Sequence, residues 1–300
     1  MNPLTRQQLK FLDAAETIHF DPDKTESAFL ARQLVQATLP HKDPGNIPLW
    51  SRRNGNLTLT IQPGQKQGKL LGYPYGTLPR LLLFWMTTEA VKTKNPRLEL
   101  VRSLASFMRE LGLDSHSRGK RSDAKRLREQ MERLFRATIS FEQTRQEAGR
   151  TGEMWRDMKV APEGMLWWDE KRPEQGALWY SWIELSKQFF EAITAAPVPV
   201  DMRALNALKR SPLALDLYAW ATYTAFQTQK RGQSRFVSWE LLHDQMGAEY
   251  STVKNFSQKA RGALRKVQAV YPGLGLEFEP GGVRVLPCKP AVTIKPRAVK

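Results

Sequence analysis

The residues best suited to do chemistry lie between Ser251 and Leu276, a stretch that contains no aspartate or glutamate. Its basic side chains are Lys254, Lys259, Arg261, Arg265 and Lys266. An exposed helix normally mixes both signs of charge, because pairs at i, i+4 each add about 0.2–0.5 kcal/mol. Cations without acids indicate that the compensating negative charge comes from outside the segment. The phosphates of duplex DNA are the obvious source.

Other side chains in this stretch suit the reading of base edges. Asn255 and Gln258 can each make paired hydrogen bonds to adenine, and Arg261 or Lys254 can address guanine. One such contact discriminates between bases by ~1–3 kcal/mol. We therefore expect the first half of the segment to read bases and its later cations to hold the DNA backbone. The alternative interpretation is a basic helix face that only meets solvent.

Side chains for enzyme chemistry are sparse. The four histidines include no pair with the spacing of a local metal site, and the carboxylates do not cluster. Cys288 is the single cysteine, so no disulfide or cysteine-based zinc site can form within the chain. The segment 64–70 resembles a phosphate-binding loop only faintly, because Leu70 replaces the Ser or Thr that would bind Mg²⁺. We expect no catalysis, no cofactor and no metal.

The charge balance of the whole chain supports a polyanionic partner. Its 300 residues carry 46 basic and 30 acidic side chains, a net charge of +16 and a pI near 10.0. Nucleic acid is the first candidate and an anionic membrane surface the second. The amino-terminal residues lack the apolar core of a signal peptide, and the apolar run 81–86 is far shorter than the ~20 residues of a membrane span. We expect a cytoplasmic protein without a membrane partner.

The elements that position the acid-free segment follow a recognisable order. A long helix is predicted over 212–229, a short helix over 239–246, and a third over 251–270 with Ser251 as its cap. A β-hairpin over 276–286 comes directly after them. Helix, helix, basic helix and hairpin is the order of a winged helix-turn-helix. We expect Arg284, on the hairpin, to contact phosphate or the minor groove.

A similar series appears earlier in the chain. Helices are predicted over 79–91, over 97–111 and from a cap at Ser122, and strands over 138–141, 164–168 and 177–183. Between residues 118 and 136, eight basic residues stand against three acids. The DNA-binding residues predicted here are Arg118, Lys120, Arg121, Lys125, Arg126 and Arg128. The alternative is that Glu129 and Glu132 neutralise them internally.

The tryptophans of the earlier series invite two interpretations. They are Trp155, Trp167, Trp168, Trp179 and Trp182. A base-stacking platform is conceivable, but predicted strands favour packing in the core or at a dimer interface. An exposed strand edge in this hairpin would suit dimerisation.

The predicted fold is α+β, mainly α, with two tandem winged helix-turn-helix domains. Residues 1–50 form a helical extension with a helix over 27–38, residues 51–190 the first domain, and residues 191–287 the second. The first domain binds DNA or mediates dimerisation, and the second binds DNA. Residues 288–300 form a basic, disordered tail rich in Pro and Lys.

Seven strings of the sequence, taken in order, resemble one family. They are LPHKDP at 39–44, YGTLPRLLLFW at 75–85, TEAV at 88–91, FMRELGL at 107–113, QMERLF at 130–135, PVPVD at 197–201 and LALDLYAW at 213–220. In their order and spacing they are similar to plasmid-encoded RepA-type replication initiators, over residues from about 30 to 287.

The resemblance implies a function without intrinsic catalysis. Two winged-helix domains would bind repeated sequences, called iterons, at a plasmid origin. Monomers would help open the origin and recruit the host initiator and the replicative helicase. Homodimers, in equilibrium with monomers, would be less active in initiation and could repress the protein's own gene or limit copy number.

Two other functions stay open on the residues alone. A transcriptional repressor could use the same fold without a role in replication, since a fold does not determine a function. A nicking or relaxing enzyme would need catalytic residues that converge only in space. If two winged helices enter successive major grooves, the recognised site spans roughly 20 bp.

Overall fold

A computed structural model of the chain describes residues 3–22, 24–100, 104–113, 122–167, 180–247 and 249–292. The chain divides into two compact units. The central unit comprises residues 31–197, and the terminal unit comprises residues 1–30 together with 198–300. Within the described residues, no helix is both long and apolar enough to cross a bilayer.

The described residues form ten helices and fourteen strands. The helices are α1 (Arg6–Phe20), α2 (Arg32–Gln36), α3 (Thr77–Thr93), α4 (Leu104–Glu110), α5 (Asp123–Phe135), α6 (Lys187–Ala195), α7 (Met202–Leu208), α8 (Pro212–Arg231), α9 (Trp239–Met246) and α10 (Val253–Ala269). The strands are β1 (Ser27–Ala31), β2 (Trp50–Asn54), β3 (Leu57–Gln62), β4 (Gln65–Lys66), β5 (Lys69–Leu70), β6 (Arg97–Glu99), β7 (Thr138–Glu147), β8 (Arg150–Lys159), β9 (Glu163–Met165), β10 (Trp182–Glu184), β11 (Pro197–Asp201), β12 (Arg235–Ser238), β13 (Leu276–Glu279) and β14 (Gly282–Val285). The fold is mixed α and β.

Helix α3 forms the centre of the central unit. Its apolar residues are buried on almost every side, as expected of a helix without a polar face. Helices α5 and α6 pack against it. The two larger antiparallel sheets of the unit have the strand orders β2-β3-β7-β8 and β6-β10-β9, and the short hairpin β4–β5 forms a third sheet. The core therefore lies between α3 and the inner faces of these sheets.

Helices α8 and α10 pack together in the terminal unit, and β14 lies against α8. Pro212 begins α8 at a position where its missing N–H is not needed, and Ser211 caps the helix by accepting a hydrogen bond from the Ala214 backbone N–H. The three strands of this unit's sheet have the order β12-β14-β13. A buried Phe256 and Leu264 on α10 face the core, where each contributes about 1.5–3 kcal/mol.

Residues from the start of the chain complete the terminal unit. Helix α1 packs on α7, and β1 pairs with β11. The Arg203 guanidinium donates to the carbonyl oxygen of Asp21 at 2.9 Å and to the carboxylate of Asp201 at 2.7 Å. The Met202 backbone N–H donates to the carbonyl oxygen of Glu26. The first 30 residues are thus a packed part of this unit, where the sequence predicted a helical extension over 1–50.

The two units contain matching series of elements. The central series is α3, β6, α4, α5, β9 and β10, and the terminal series is α8, β12, α9, α10, β13 and β14. In each sheet the last strand lies between the other two, in the orders β6-β10-β9 and β12-β14-β13. The central series differs by the long hairpin β7–β8, which is inserted after its third helix.

Most predicted elements are confirmed. The strand at 57–61 corresponds to β3, the helix at 79–91 to α3, and the terminal helices and hairpin to α8, α9, α10 and β13–β14. Ser122 caps α5 through a hydrogen bond from the Lys125 backbone N–H, a contact worth ~1 kcal/mol.

Two predicted helices are wrong in their first halves. In place of a helix over 27–38, Ser27–Ala31 is a strand, and in place of one over 97–111, Arg97–Glu99 is a strand. In both cases pairing with a distant strand, β11 or β10, outweighs the local helical periodicity. The predicted tail also begins too early, because Val292 is buried and the carbonyl oxygen of Lys289 accepts a hydrogen bond from the Tyr271 hydroxyl. Residues 293–300 lie outside the described residues.

Candidate nucleic-acid interface

Helix α10 begins at Val253 with Thr252 as its cap, whose hydroxyl accepts a hydrogen bond from the Asn255 backbone N–H at 3.2 Å. The prediction that Ser251 caps this helix is therefore wrong by one residue. The Ser251 hydroxyl instead accepts a hydrogen bond from the Asn255 side-chain amide at 3.3 Å. Gly247, in the turn before the helix, lies so close to the Phe256 ring that a Cβ there would collide with it. This contact holds α9 and α10 close together.

The solvent-facing side of α10 carries six of the predicted DNA-binding residues. Exposed here are Lys254, Asn255, Gln258, Lys259, Arg265 and Lys266. Among the described residues, no carboxylate lies within ion-pair distance of the lysines or of Arg265. An uncompensated cationic face of this kind attracts polyanions and can hold a phosphate backbone in register.

Arg261, for which the sequence predicts a contact with guanine, is engaged within the protein. Its guanidinium lies 5.1 Å from the centre of the Trp239 ring and 5.6 Å from that of Phe278. It also donates a hydrogen bond to the carbonyl oxygen of Glu279 at 3.4 Å. The side chain is only half-exposed because these cation–π contacts hold it against the hairpin. Arg261 therefore joins α10 to β13 and its turn.

Arg284 is also engaged within the protein. Its guanidinium forms a two-pronged ion pair with the carboxylate of Glu279, with Nη2 3.1 Å from Oε2. The hydrogen bond from Arg284 holds the pKa of the Glu279 carboxyl below its ordinary value. The hairpin thus supplies a counter-charge for Arg284, and the contact of Arg284 with phosphate or the minor groove stays a prediction. Glu277, directly opposite Arg284 in the register, adds a second acid to this face.

Helix α5 carries the cations of the central series, and these are largely paired. Arg126 lies 3.4 Å from Asp123, and Arg128 lies 3.9 Å from Glu132. The ammonium of Lys66, at the β4–β5 hairpin, donates to Glu132 at 2.8 Å. Internal neutralisation by Glu132 is therefore confirmed, whereas Glu129 and Lys125 are exposed and no ion pair is described for either. The predicted residues Arg118, Lys120 and Arg121 lie outside the described residues.

The segment with a faint likeness to a phosphate-binding loop has another role. It forms the short hairpin β4–β5, which lies against the end of α5. Lys66 is held by Glu132, and the Arg136 guanidinium donates to the carbonyl oxygen of Gln65 at 3.3 Å. Gly64 approaches the Arg136 backbone so closely that no side chain would fit there. These contacts dock the hairpin on the protein.

The tryptophans of the central series do not form a common platform in the described residues. Trp155 on β8 is 70% exposed and Trp167 is 54% exposed, so neither packs in the core, and their packing at a dimer interface stays a prediction. The Arg97 guanidinium lies over the ring of Trp182, 4.0 Å from the ring centre. Trp168 and Trp179 fall outside the described residues. The described part of the chain also contains no group of three or more His, Cys, Asp or Glu arranged to hold a metal ion.

Comparisons with known proteins agree with this architecture. Two crystal structures of domains 2 and 3 of RctB resemble the chain over 85% of its length. One has a TM-score of 0.52 at 11% identity and is covered over 97% of its own chain. The other, a selenomethionine form, has a TM-score of 0.53 at 12% identity and is covered over 95%. At such low identity the likeness concerns the fold alone.

Sequence comparison is more specific. No curated protein sequence matches the chain significantly. A family model described as plasmid-encoded RepA protein matches residues 73–241, which begin after β5 and end within the first turn of α9. Because this match spans more than half of the chain, the protein belongs to the family of plasmid-encoded RepA proteins.

Proposed function

We propose that this protein initiates plasmid replication by binding repeated duplex sequences at the plasmid origin. Membership of the plasmid-encoded RepA family supports the role in replication. The observation that carries DNA binding is the exposed face of α10, where Lys254, Lys259 and Lys266 have no carboxylate partner among the described residues.

We further infer that each series of elements is a winged helix-turn-helix module. The order α8, β12, α9, α10 and the hairpin β13–β14 supports this, with α9 and α10 as the helix-turn-helix pair. In such a module the amino-terminal part of the second helix enters the major groove. Asn255 and Gln258 then face adenine edges, while Lys254 and Lys259 face guanine or phosphate.

The remaining steps follow from the family rather than from any single contact. Binding as a monomer opens the origin and recruits the host initiator and replicative helicase in the cytoplasm. The exposed edge strand β8 supports an additional dimeric form. A dimer represses the protein's own gene or limits copy number.

A salt series with the DNA that flanks the gene tests the binding. If six to ten phosphates are contacted, affinity falls by ~10³–10⁵ between about 50 and 200 mM salt. A nearly flat dependence would contradict the electrostatic part. A minimal plasmid that carries the gene and its upstream repeats tests the role, because failure to replicate in a permissive host would favour a transcriptional repressor. Conversion of supercoiled plasmid to open circles with Mg²⁺ would instead indicate a nicking enzyme.

A further inference from the structure

The hairpin β7–β8 extends beyond the sheet to which it belongs. Strand β3 pairs with β7 only as far as Gln143, whereas β8 continues to the pair Glu147–Arg150. Residues 144–153 therefore extend beyond the sheet as two paired strands whose side chains are all exposed. We call the part of the hairpin between residues 142 and 157 the ribbon. Ala148 and Gly149 close it with positive φ angles of 49° and 75°, as in the tight turns that suit twisted hairpins. At ~3.4 Å per residue, the ribbon projects roughly 14 Å beyond Gln143.

The two faces of this ribbon carry opposite charges. Side chains alternate along a strand, and residues directly opposite in the register point to the same face. One face, which we call the basic face, carries Arg145, Arg150 and Arg156, with Glu147 as its single acid. The other face carries Glu142, Glu153 and Asp157 together with Trp155. Between residues 142 and 157, every cation is on the basic face.

Sheet stability alone does not account for this separation. Opposite charges that face each other across two strands stabilise a hairpin by ~0.2–1 kcal/mol per pair. The ribbon has enough acids to pair all three arginines, but three of the four acids point the other way. Among the described residues, none of the three arginines forms an ion pair. An isolated two-stranded ribbon is also only marginally stable in water.

We propose that the basic face is a further DNA-binding site, which contacts the phosphate backbone of a duplex. Arginine suits this contact because its planar guanidinium binds phosphate oxygens in pairs. Along the axis of the ribbon, Arg150 lies about 7 Å from Arg145 toward the turn. Arg156 lies about 14 Å from Arg145 in the opposite direction. Two-stranded ribbons of this kind fit the major groove of B-DNA. The acidic face points away from the duplex, since phosphate repels it.

This site rests on the DNA binding proposed above and adds a contact from the central unit. It lies on β7 and β8, outside the helices α5 and α10. Its contribution is electrostatic, because arginines that touch only phosphates carry no sequence information. It therefore adds the same free energy on any duplex, and it increases the steepness of the salt dependence by about 0.9 for each phosphate contacted.

Two matched variants of the full chain test the site. In the first, Arg145→Gln, Arg150→Gln and Arg156→Gln neutralise the basic face. In the second, Glu142→Gln, Glu153→Gln and Asp157→Asn neutralise the acidic face of the same strands. The affinity of each is measured between about 50 and 200 mM salt, on the flanking repeats and on an unrelated duplex of equal length.

The basic-face variant is expected to weaken binding more than tenfold on both duplexes at ~100 mM salt and to reduce the salt slope by about two to three. The acidic-face variant keeps the wild-type slope and binds no more weakly. If the triple variant fails to fold by circular dichroism, Arg150→Gln at the exposed turn gives a slope reduced by about 0.9.

Two outcomes overturn the site. The first is an unchanged salt slope in the basic-face variant; if sedimentation also shows a loss of self-association, the ribbon belongs to an interface with a second copy of the chain. The second is an equal loss of affinity in both variants. If the wild-type chain itself does not bind the repeats, the proposed function fails. If the wild type binds and the basic-face variant binds equally well, only this inference fails.

Discussion

Helices α5 and α10 hold the same place in their two series, yet their cations have different surroundings. On α5, Arg126 and Arg128 have acidic partners one turn away, and Glu132 additionally binds Lys66. On α10, the exposed lysines have no such partner in the described residues. The count of basic residues on a helix is thus a poor guide to DNA binding. Local compensation decides how much of that charge is available to phosphate.

The pairing on α5 has a structural purpose. Glu132 is only 15% exposed, and it connects the helix to the β4–β5 hairpin through Lys66. Arg133, one residue later, lies 3.3 Å from Asp43 and donates to the carbonyl oxygen of Tyr73. These contacts hold loops of the central unit in place. We therefore expect α10 to dominate DNA recognition and α5 to contribute less.

Charge reversal on each helix tests whether α10 contributes more to DNA binding than α5. Lys259→Glu on α10 is expected to lower affinity for the repeats by about 100-fold, because a contact of ~1–3 kcal/mol is replaced by repulsion. Lys125→Glu, at an exposed position of α5, is expected to cost less than about tenfold. Fluorescence anisotropy with labelled duplex measures both. Equal losses would show that the two helices bind DNA alike.

Substitution of Arg261 separates a packing role from a phosphate contact. Arg261→Ala should lower the free energy of unfolding by about 1–2 kcal/mol. The substitution removes the cation–π contacts with Trp239 and Phe278 and the packing of the arginine's aliphatic carbons on these rings. The salt slope of DNA binding should stay at the wild-type value. Urea unfolding and a salt series measure the two effects. A slope reduced by about 0.9 with unchanged stability would return Arg261 to the DNA interface.

Removal of the acid on α5 should make that helix more like α10. Glu132→Gln releases Lys66 and weakens the hold on Arg128. We expect tighter binding to any duplex, by up to about fivefold at low salt, with a steeper salt slope. The same titrations measure it, with Glu129→Gln as the control on an exposed acid of the same helix. Identical behaviour of the two variants would mean that the Glu132 pairs do not limit binding.

The smallest expected effect concerns the hairpin. The hydrogen bond from Arg284 lowers the pKa of Glu279, so the pair stabilises the fold above the carboxyl's ordinary pKa of 4.5 and loses this stabilisation as pH falls through the lowered value. Arg284→Gln should raise the pKa of Glu279 toward 4.5. NMR titration of the Glu279 side-chain carboxyl measures the change. An unchanged pKa would mean that the ion pair is absent in solution.

Elements whose pattern is local could be predicted from the sequence. The cap at Ser122 and the periodicity of α5 and α10 depend on residues three or four apart, and the structure has these helices with little change in their bounds. The strands β6, β8 and β12 were missed, as each is stabilised by pairing with another strand. Short strands carry too few residues for their alternation to exceed that of a helix.

In the candidate site, too, features set by neighbouring residues could be predicted, whereas features set by distant contacts could not. The exposed face of α10 follows from its helical period, so Lys254, Gln258 and Lys259 could be placed in advance. The engagement of Arg261 and Arg284 could not, because both meet Glu279, which reaches them only when the hairpin folds onto α10. The charge separation on β7–β8 also depends on the register of two strands, which no local pattern specifies.

The hydrogen bonds that join Arg203 to Asp201 and to the carbonyl oxygen of Asp21 connect segments that are far apart in the chain, and this has a consequence for synthesis on the ribosome. The helix α1 and the strand β1 are synthesised before the central unit, yet their partners α7 and β11 appear only after it. At about 5–20 residues per second, the leading segment waits roughly 10 to 30 s for them. Throughout that interval the apolar side of α1 lacks the α7 surface on which it packs, so the terminal unit can close only after the central unit has been synthesised.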